Sequence, residues 1–417
     1  MSPAALTWTI AGSATAGVIL RPFGLPEAIW AVAGAALIVV LRLLSPQDAL
    51  IGIGKGVDVY LFLTGMMLLA EVARKEGLFD WLAARATRGA RGSAARLFLL
   101  VYGVGALVTT FLSNDATAVV LTPAVAAAVK AAKAKEPLPY LLICAFIANA
   151  ASFVLPISNP ANLVIYGAHM PPLLAWLPRY LPASALAILA TYLALRWTQR
   201  AALRQAIAED APLADLTRAG RIAAAGIAAT AVALLAASAL DVQLGLPTAI
   251  AGAATAAAVL LVERKGPWDT IKDVSWGVLP LVAGLFVLVE ALDKSGLIGT
   301  LGALLHDAAQ RSGVGAAWAA GVAIALAGNL MNNLPAGLIA AGAVQDAHVP
   351  EGVTRAVLIG VDLGPNLSVT GSLATILWLT ALRREGLNVD AWTFLKLGAL
   401  VMPPALLLAL AGSMGFG

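Results

Sequence analysis

Apolar runs of about 16 to 24 residues recur along the whole chain, divided by short polar segments. About 20 residues of helix cross the hydrocarbon core of a bilayer, and lipid tolerates only structures that satisfy their own backbone. The runs therefore point to an all-α polytopic membrane protein. A membrane β-barrel would instead show short segments of alternating polarity. Composition agrees with the helical reading: 60% of the 417 residues are hydrophobic and 12% are charged, where a soluble domain carries roughly 25% charge. The formal net charge of +4 does not imply nucleic acid, because the cations fall in short loops between apolar runs, as membrane topology requires. A single cysteine, Cys144, excludes a disulfide within the chain, and no zinc-type Cys/His spacing occurs. No structural metal and no cofactor are expected. The first run, Leu6 to Leu20, lacks a basic leader and a clear cleavage site, so it reads as a retained helix.

The order of elements repeats. Spans at 5–20, 27–43 and 57–72 precede an amphipathic piece at 77–89. Two short arms, 94–112 and 116–129, come next. An interrupted span at 138–167 and a last span at 172–196 complete the first half. After a polar linker, 197–220, the same series recurs as 221–239, 246–262, 275–292, 297–311, 314–330 with 335–345, 353–381 and 391–413. This makes 1–196 one repeat and 221–417 a second. Each holds five full crossings and one re-entrant hairpin, 94–129 or 314–345, so the chain has about ten transmembrane helices. Two of these are broken. Five is odd, so the second repeat is inverted, which is the plan of a secondary transporter. With both termini outside, the cytoplasmic segments 21–26, 73–97, 130–137, 196–221, 262–275 and 382–390 hold 20 of the 27 Lys and Arg, as the positive-inside rule expects. The first hairpin then opens from the cytoplasmic side and the second from the outer side. His169, His306 and His348 fall outside.

Four polar clusters interrupt the apolar pattern. Ser113-Asn114-Asp115 and Asn332-Asn333-Leu334-Pro335 sit between short arms. An arm of 13 to 16 residues is about 20–24 Å long as helix, less than a core of about 30 Å. Each pair of arms therefore enters and turns back, and its irregular tip must face protein or a wet cavity. The other two clusters are "VLPISNPANLV" (Val154–Val164) and "DLGPNLSVTGSLATIL" (Asp362–Leu377). A shift of 213 positions lays Asn149 on Asp362, Asn159 on Ser372 and Asn162 on Thr375. Pro and Gly break both helices, and the exposed half-helix ends can face a common centre. The plainer reading is that Asn, Ser and Thr fasten helices together, and that the aspartates cap half-helices. Against it, an aspartate at membrane depth is costly and marks function by default. Glu71, Glu290 and Asp293 sit at span ends, where solvation accounts for them. Cys144 reads as core packing, and Trp30, Trp81, Trp176, Trp318 and Trp392 as an interfacial belt.

At these motifs the chain resembles the arsenical pump membrane proteins, arsenite and antimonite efflux carriers of the ion transporter superfamily. "LIGVDLGPNLSVTGSLATILWL" (Leu358–Leu379), "MNNLPAGLIAAGAV" (Met331–Val344) and "SNDATAVVLTP" (Ser113–Pro123) carry the likeness. It implies arsenite or antimonite export across the inner membrane, driven by proton entry, with arsenic resistance as the outcome. A soluble arsenite-stimulated ATPase is an implied partner, and the linker 197–220 the expected docking surface. The matching positions are Asn114, Asp115, Ser158, Asn159, Asn162, Asn332, Asn333, Asp362, Thr370, Ser372 and Thr375. The dicarboxylate branch carries Ser-Asn-Thr at both hairpin tips, and this chain does not.

Arsenite at neutral pH is the uncharged As(OH)₃, whose hydroxyls suit amides, hydroxyls and backbone groups. One cysteine excludes capture by three thiolates. A neutral cargo needs a separate coupling ion, and a carboxylate withdrawn from water holds its proton more tightly. Asp115 and Asp362 are thus the expected proton carriers, Asp115 ahead of Asp362 because its counterpart in the second hairpin, Leu334, is no acid. One rival is a sodium/proton antiporter, in which Asn114, Asp115 and Thr117 ligate Na⁺; Thr117 is also counted with the substrate-binding side chains. A more distant rival is an intramembrane aspartyl protease, which needs an aspartate dyad but no inverted repeat. No phosphate-binding loop occurs, and no enzymatic activity is expected.

Overall fold

The computed structural model describes residues 2–167, 170–208 and 215–415. His169 and part of the linker lie outside them. The first half contains α1 (Pro3–Leu20), α2 (Glu27–Val40), α3 (Pro46–Lys55), α4 (Val57–Lys75), α5 (Leu78–Gly89), α6 (Ala94–Phe111), α7 (Asn114–Ala116), α8 (Thr122–Ala131), α9 (Leu138–Ala150), α10 (Pro160–Tyr166) and α11 (Leu173–Thr198). The second contains α12 (Arg218–Ala239), α13 (Gly245–Glu263), α14 (Trp268–Asp273), α15 (Val278–Lys294), α16 (Leu297–Arg311), α17 (Gly313–Met331), α18 (Asn333–Ala347), α19 (Glu351–Leu363), α20 (Leu373–Arg384) and α21 (Ala391–Gly415). This is an all-α, multi-pass membrane protein.

Local sequence explains many ends. Ser2, Ser45, Ser93 and Ser312 cap α1, α3, α6 and α17 by accepting from a backbone N–H three residues on. Gly77 and Gly296, at φ 71° and 85°, make the left-handed turns from α4 into α5 and from α15 into α16, where a Cβ would be strained.

Among the described residues, seven single helices are long and apolar enough to cross a bilayer, and eight spans result when α3 and α4, bent by 47°, count as one. The expectation of about ten differs because α2 and α15 have only 14 and 17 residues and the interrupted spans do not form single helices, whereas α6 and α17, expected as arms of 13 to 16 residues too short to cross, run to 18 and 19 residues and are among the seven. The polar stretch 44–56, passed over in the sequence, forms α3. Its Ser45–Pro46–Asp48 start is a capping signal on a helix too polar to register as a span.

Close packing relies on small residues. The α4 and α13 backbones approach so tightly that a Cβ on Gly252 would lie 2.4 Å from the Gly65 oxygen. α2 packs along α15 and α13 along α4; α6 pairs with α9 and α17 with α19; α11 lies against α21. Two charged residues depart from expectation. Glu71 and Glu290 are buried rather than solvated. Arg74 grips Glu71 through two bonds of 2.9 and 2.5 Å, and Lys55 reaches Glu290 at 2.6 Å. Trp176 is also no belt residue. It is fully buried, and its indole N–H serves the carbonyls of Phe153 and Val154 at 3.3 and 3.2 Å, which the break after α9 leaves free.

Candidate substrate site

Two helical hairpins and two interrupted helices build the site. In the first hairpin α6 ends at Phe111, and Ser113 starts α7 by accepting from the Ala116 N–H at 3.2 Å. A turn of π-helix, Thr117–Leu121, follows before α8; such turns recur at functional sites. In the second hairpin Asn332 takes a positive φ of 73°, which Asn tolerates better than most residues. It caps α18 through the Leu334 N–H at 3.4 Å. The Asn333 N–H bonds the Gly371 oxygen of the second break at 2.8 Å.

The breaks use matching chemistry. Asn159 starts α10 by accepting from the Ala161 N–H at 3.0 Å, and Ser372 starts α20 by accepting from the Ala374 N–H at 3.1 Å. Each break is also tied to a neighbouring hairpin: Ser158 donates to the Thr110 oxygen at 3.0 Å, and Thr370 to the Asn329 oxygen at 2.8 Å.

These four elements meet at one cavity of about 50 Å³. Asn114, Asp115, Asn159, Asn332, Asn333 and Ser372 all line it, beside Pro160, Ala161, Leu334, Pro335, Leu373 and Ile376. The starts of α7, α10, α18 and α20 thus converge, and their N–H ends give the wall a positive bias. The facing wall is apolar, from Val18, Val59, Leu63, Val278, Leu281, Val282 and Leu285. Among the described residues no Lys, Arg or His lines the cavity, and Asp115 is its one acid.

The other sequence candidates stand behind this wall. Thr117 bonds Thr109 at 2.8 Å. Asn162 donates to the Ser152, Leu155 and Pro156 oxygens at 2.9, 3.4 and 3.3 Å, bracing the first break. Thr375 is buried, and its hydroxyl has no partner. Asp362 is fully buried and accepts from the Asn159 amide at 2.7 Å. Several supporting residues escaped the sequence reading. Asn329 bonds the Gly364 oxygen at 2.9 Å and accepts from Ser368 at 2.7 Å. Asn366, which also escaped it, bonds Asn149, the sequence counterpart of Asp362, at 3.0 Å and so joins α9 to the second break. The only sequence signal for these was position: Asn329 lies one turn before the hairpin tip, and Asn366 follows Gly364-Pro365. The apolar wall carried no signal at all.

A bundle of membrane-spanning helices with two hairpins and two broken helices closing on one cavity, polar on one wall and apolar on the other, defines the class: a secondary transporter. Comparison with known proteins makes this specific. The model of the citrate transporter family matches residues 15–361, and the chain belongs to that family. It is similar to an arsenical pump membrane protein of Escherichia coli, 27% identical, with 83% of each chain covered. A putative arsenical pump membrane protein of Bacillus subtilis is 25% identical, covering 94% of this chain and 95% of the relative. Among solved structures, the fold is similar to the YdaH transporter of Alcanivorax borkumensis, with TM-score 0.59, 17% identity, and 100% of this chain and 97% of that one covered. MtrF of Neisseria gonorrhoeae gives TM-score 0.55 at 13% identity, covering 99% and 94%.

Proposed function

We propose that the protein exports arsenite or antimonite across the inner membrane in exchange for protons, and so confers arsenic resistance. The observation that carries this is the cavity: amide and hydroxyl side chains, one acid, no cation, and about 50 Å³, room for on the order of three to four water-sized groups. That suits the three hydroxyls of neutral As(OH)₃. The names of the Escherichia coli and Bacillus subtilis relatives support the same cargo. Citrate, the substrate in the family's name, would meet the positive bias of the helix starts, but no basic side chain to pair with its several carboxylates, and Asp115 beside them. The sodium/proton alternative is less supported, because the Thr117 hydroxyl is taken up by Thr109 behind the wall.

The transport cycle proposed here uses an inverted repeat with both termini outside. Exchanged contacts support the repeat: α2 with α15 is answered by α13 with α4, and α10 with α18 by α20 with α8. For an ATPase partner, part of the described linker is taken up by packing. Ala202, Leu203 and Ile207 are buried, and Ile207 and Ala208 bond the Gly92 and Ala132 oxygens at 3.2 and 2.7 Å. Docking would fall on exposed Arg200 and Arg204.

Expression in an arsenite-sensitive host tests the cargo. The expected result is growth on arsenite with low arsenic retention, unchanged salt tolerance, and loss of both effects in Asn114→Ala and Asn332→Ala. Arsenic retention equal to that of cells without the gene overturns the reading.

A further inference from the structure

We propose that the coupling proton binds at Asp362, outside the substrate cavity, and that Asn159 is the positioning residue that carries its effect to the cavity wall. This rests on the proton-exchange reading above and deepens it. Asp362 does not line the cavity, whereas Asp115 does. One Asp362 carboxylate oxygen, Oδ1, takes the Asn159 Nδ2 bond at 2.7 Å; the other, Oδ2, is buried without a partner. A buried, unpartnered carboxylate oxygen is a costly feature that calls for an explanation, and a site for a proton supplies one. It needs no cavity around it, unlike a metal ion.

Asn159 joins three things in one planar amide. Its Nδ2 holds Asp362, its Oδ1 starts α10 through the Ala161 N–H at 3.0 Å, and the residue lines the cavity together with Pro160 and Ala161. An ionised carboxylate is a much stronger acceptor than a neutral acid. Protonation of Asp362 therefore loosens Asn159, and with it the start of α10, which is cavity wall. Proton and cargo then act on each other without occupying the same place. The mirrored residue, Ser372, caps α20 in the same way but has no amide to pass anything on. Asn149, the counterpart of Asp362, bonds Asn366 instead.

The surroundings leave this acid isolated. Packed against α19 are α9, α10, α17, α18 and α21. They bring Tyr140 and Cys144 (α9), Tyr166 (α10), Asp346 at the far end of α18, and Lys396 (α21); α17 has no titratable group. Glu351 and Arg355 lie two to three turns back on α19 itself. Among the described residues, Asp362 makes its one side-chain bond to Asn159, so this amide is its handle.

The test is arsenite uptake into proteoliposomes containing the full chain, with and without a pH gradient, across a pH series. Wild type is expected to accumulate arsenite only with the gradient. Asp362→Asn should lose the gradient response, while Asp115→Asn keeps it with weakened arsenite affinity. Asn159→Ser keeps a side chain that caps α10 but removes the donor to Asp362. Without that donor the charged form is disfavoured, so the pH of half-maximal uptake should rise by about one to two units. A purely structural role would lower the rate and leave the profile in place. If wild type ignores the gradient, the exchange reading itself falls. If wild type responds but Asp362→Asn still responds too, or if the Asn159→Ser profile does not move, this proposal is overturned and exchange stands. Melting temperature confirms that each variant is folded. Should Asp362→Asn fail to fold, the Asn159→Ser profile decides.

Discussion

Asn329 ties the second hairpin to the second break, and its removal has a calculable cost. Its amide donates to the Ala325 and Gly364 oxygens at 2.7 and 2.9 Å and accepts from Ser368 at 2.7 Å. Asn329→Ala leaves the Gly364 oxygen and the Ser368 hydroxyl without these partners, while Ala325 keeps its place in the α17 ladder. Each keeps another partner, the Leu367 N–H at 3.0 Å for the Gly364 oxygen and the Thr370 hydroxyl at 3.0 Å for Ser368, so the loss is two neutral bonds at about 0.5–1.5 kcal/mol each, about 1–3 kcal/mol in sum. Ser368→Ala alone removes one neutral bond, about 0.5–1.5 kcal/mol. Residues in one hydrogen-bond network do not add, so the double variant should cost about 1 kcal/mol less than the two singles together. Unfolding by SDS titration in mixed micelles measures all four corners of the cycle. A coupling within about 0.3 kcal/mol of zero, the scatter of independent sites, would refute the claim that this amide fastens hairpin to break.

Lys55→Met should destabilise by roughly 1–3 kcal/mol, because it strands the buried Glu290 carboxylate, with the usual 3–5 kcal/mol reduced for the exposed lysine; adding Glu290→Met should restore much of the loss in the same titration. Gly252→Ala puts a methyl group 2.4 Å from the Gly65 oxygen and should cost about 1–3 kcal/mol by overpacking, seen as a lower melting temperature; an unchanged value means that α4 and α13 do not meet this closely. In the loop helix α14, the Lys75 ammonium 2.9 Å from Asp273 holds that carboxyl below its usual range. A depressed carboxyl stabilises the fold above its unfolded pKa and loses this as pH falls through the folded value. Asp273→Asn should therefore lower the melting temperature at pH 7, with the difference closing below about pH 4.

The polar clusters were legible because they break an apolar background. Asn114, Asp115, Asn332 and Asn333 stood out as polar breaks between apolar arms, although the first arm of each pair, α6 and α17, proves long enough to cross, and Asn159 and Ser372 through Pro and Gly within otherwise continuous spans. All six line one cavity. What sequence could not show was which polar groups turn inward and which brace the backbone. Asn162 and Asn159 are three residues apart, yet one holds the unwound carbonyls of the first break and the other faces the cavity. Residues whose meaning depends on a distant partner were also hidden. Glu71 and Glu290 looked like solvated span ends because their burial comes from packing of α3, α4, α14 and α15. Trp176 looked like a belt residue because nothing local reveals the free carbonyls it serves. The apolar wall is composed of Val and Leu that differ in no way from lipid-facing ones until the helices are placed.

The two hairpin tips are unequal where they face the cavity. Aligned by their caps, Ser113 and Asn332, the first presents Asp115 and the second Leu334, and both side chains belong to the wall. A second acid at Leu334 would share about 50 Å³ with Asp115, and two carboxylates that close hold one proton between them rather than titrating separately. The cavity would then bind protons in the very space the cargo needs. Under the proposed exchange of a proton for a neutral solute, one acid at the wall and another behind Asn159 avoid that conflict. Leu334→Asp tests the argument. Arsenite exchange at equal pH on both sides should show one inflection more than wild type, the two of the pair separated by more than about one unit, with cargo affinity falling at the pH where the pair carries its single proton. A variant profile that overlays wild type would mean that Leu334 and Asp115 do not share a space, and the case for a single wall acid would fail.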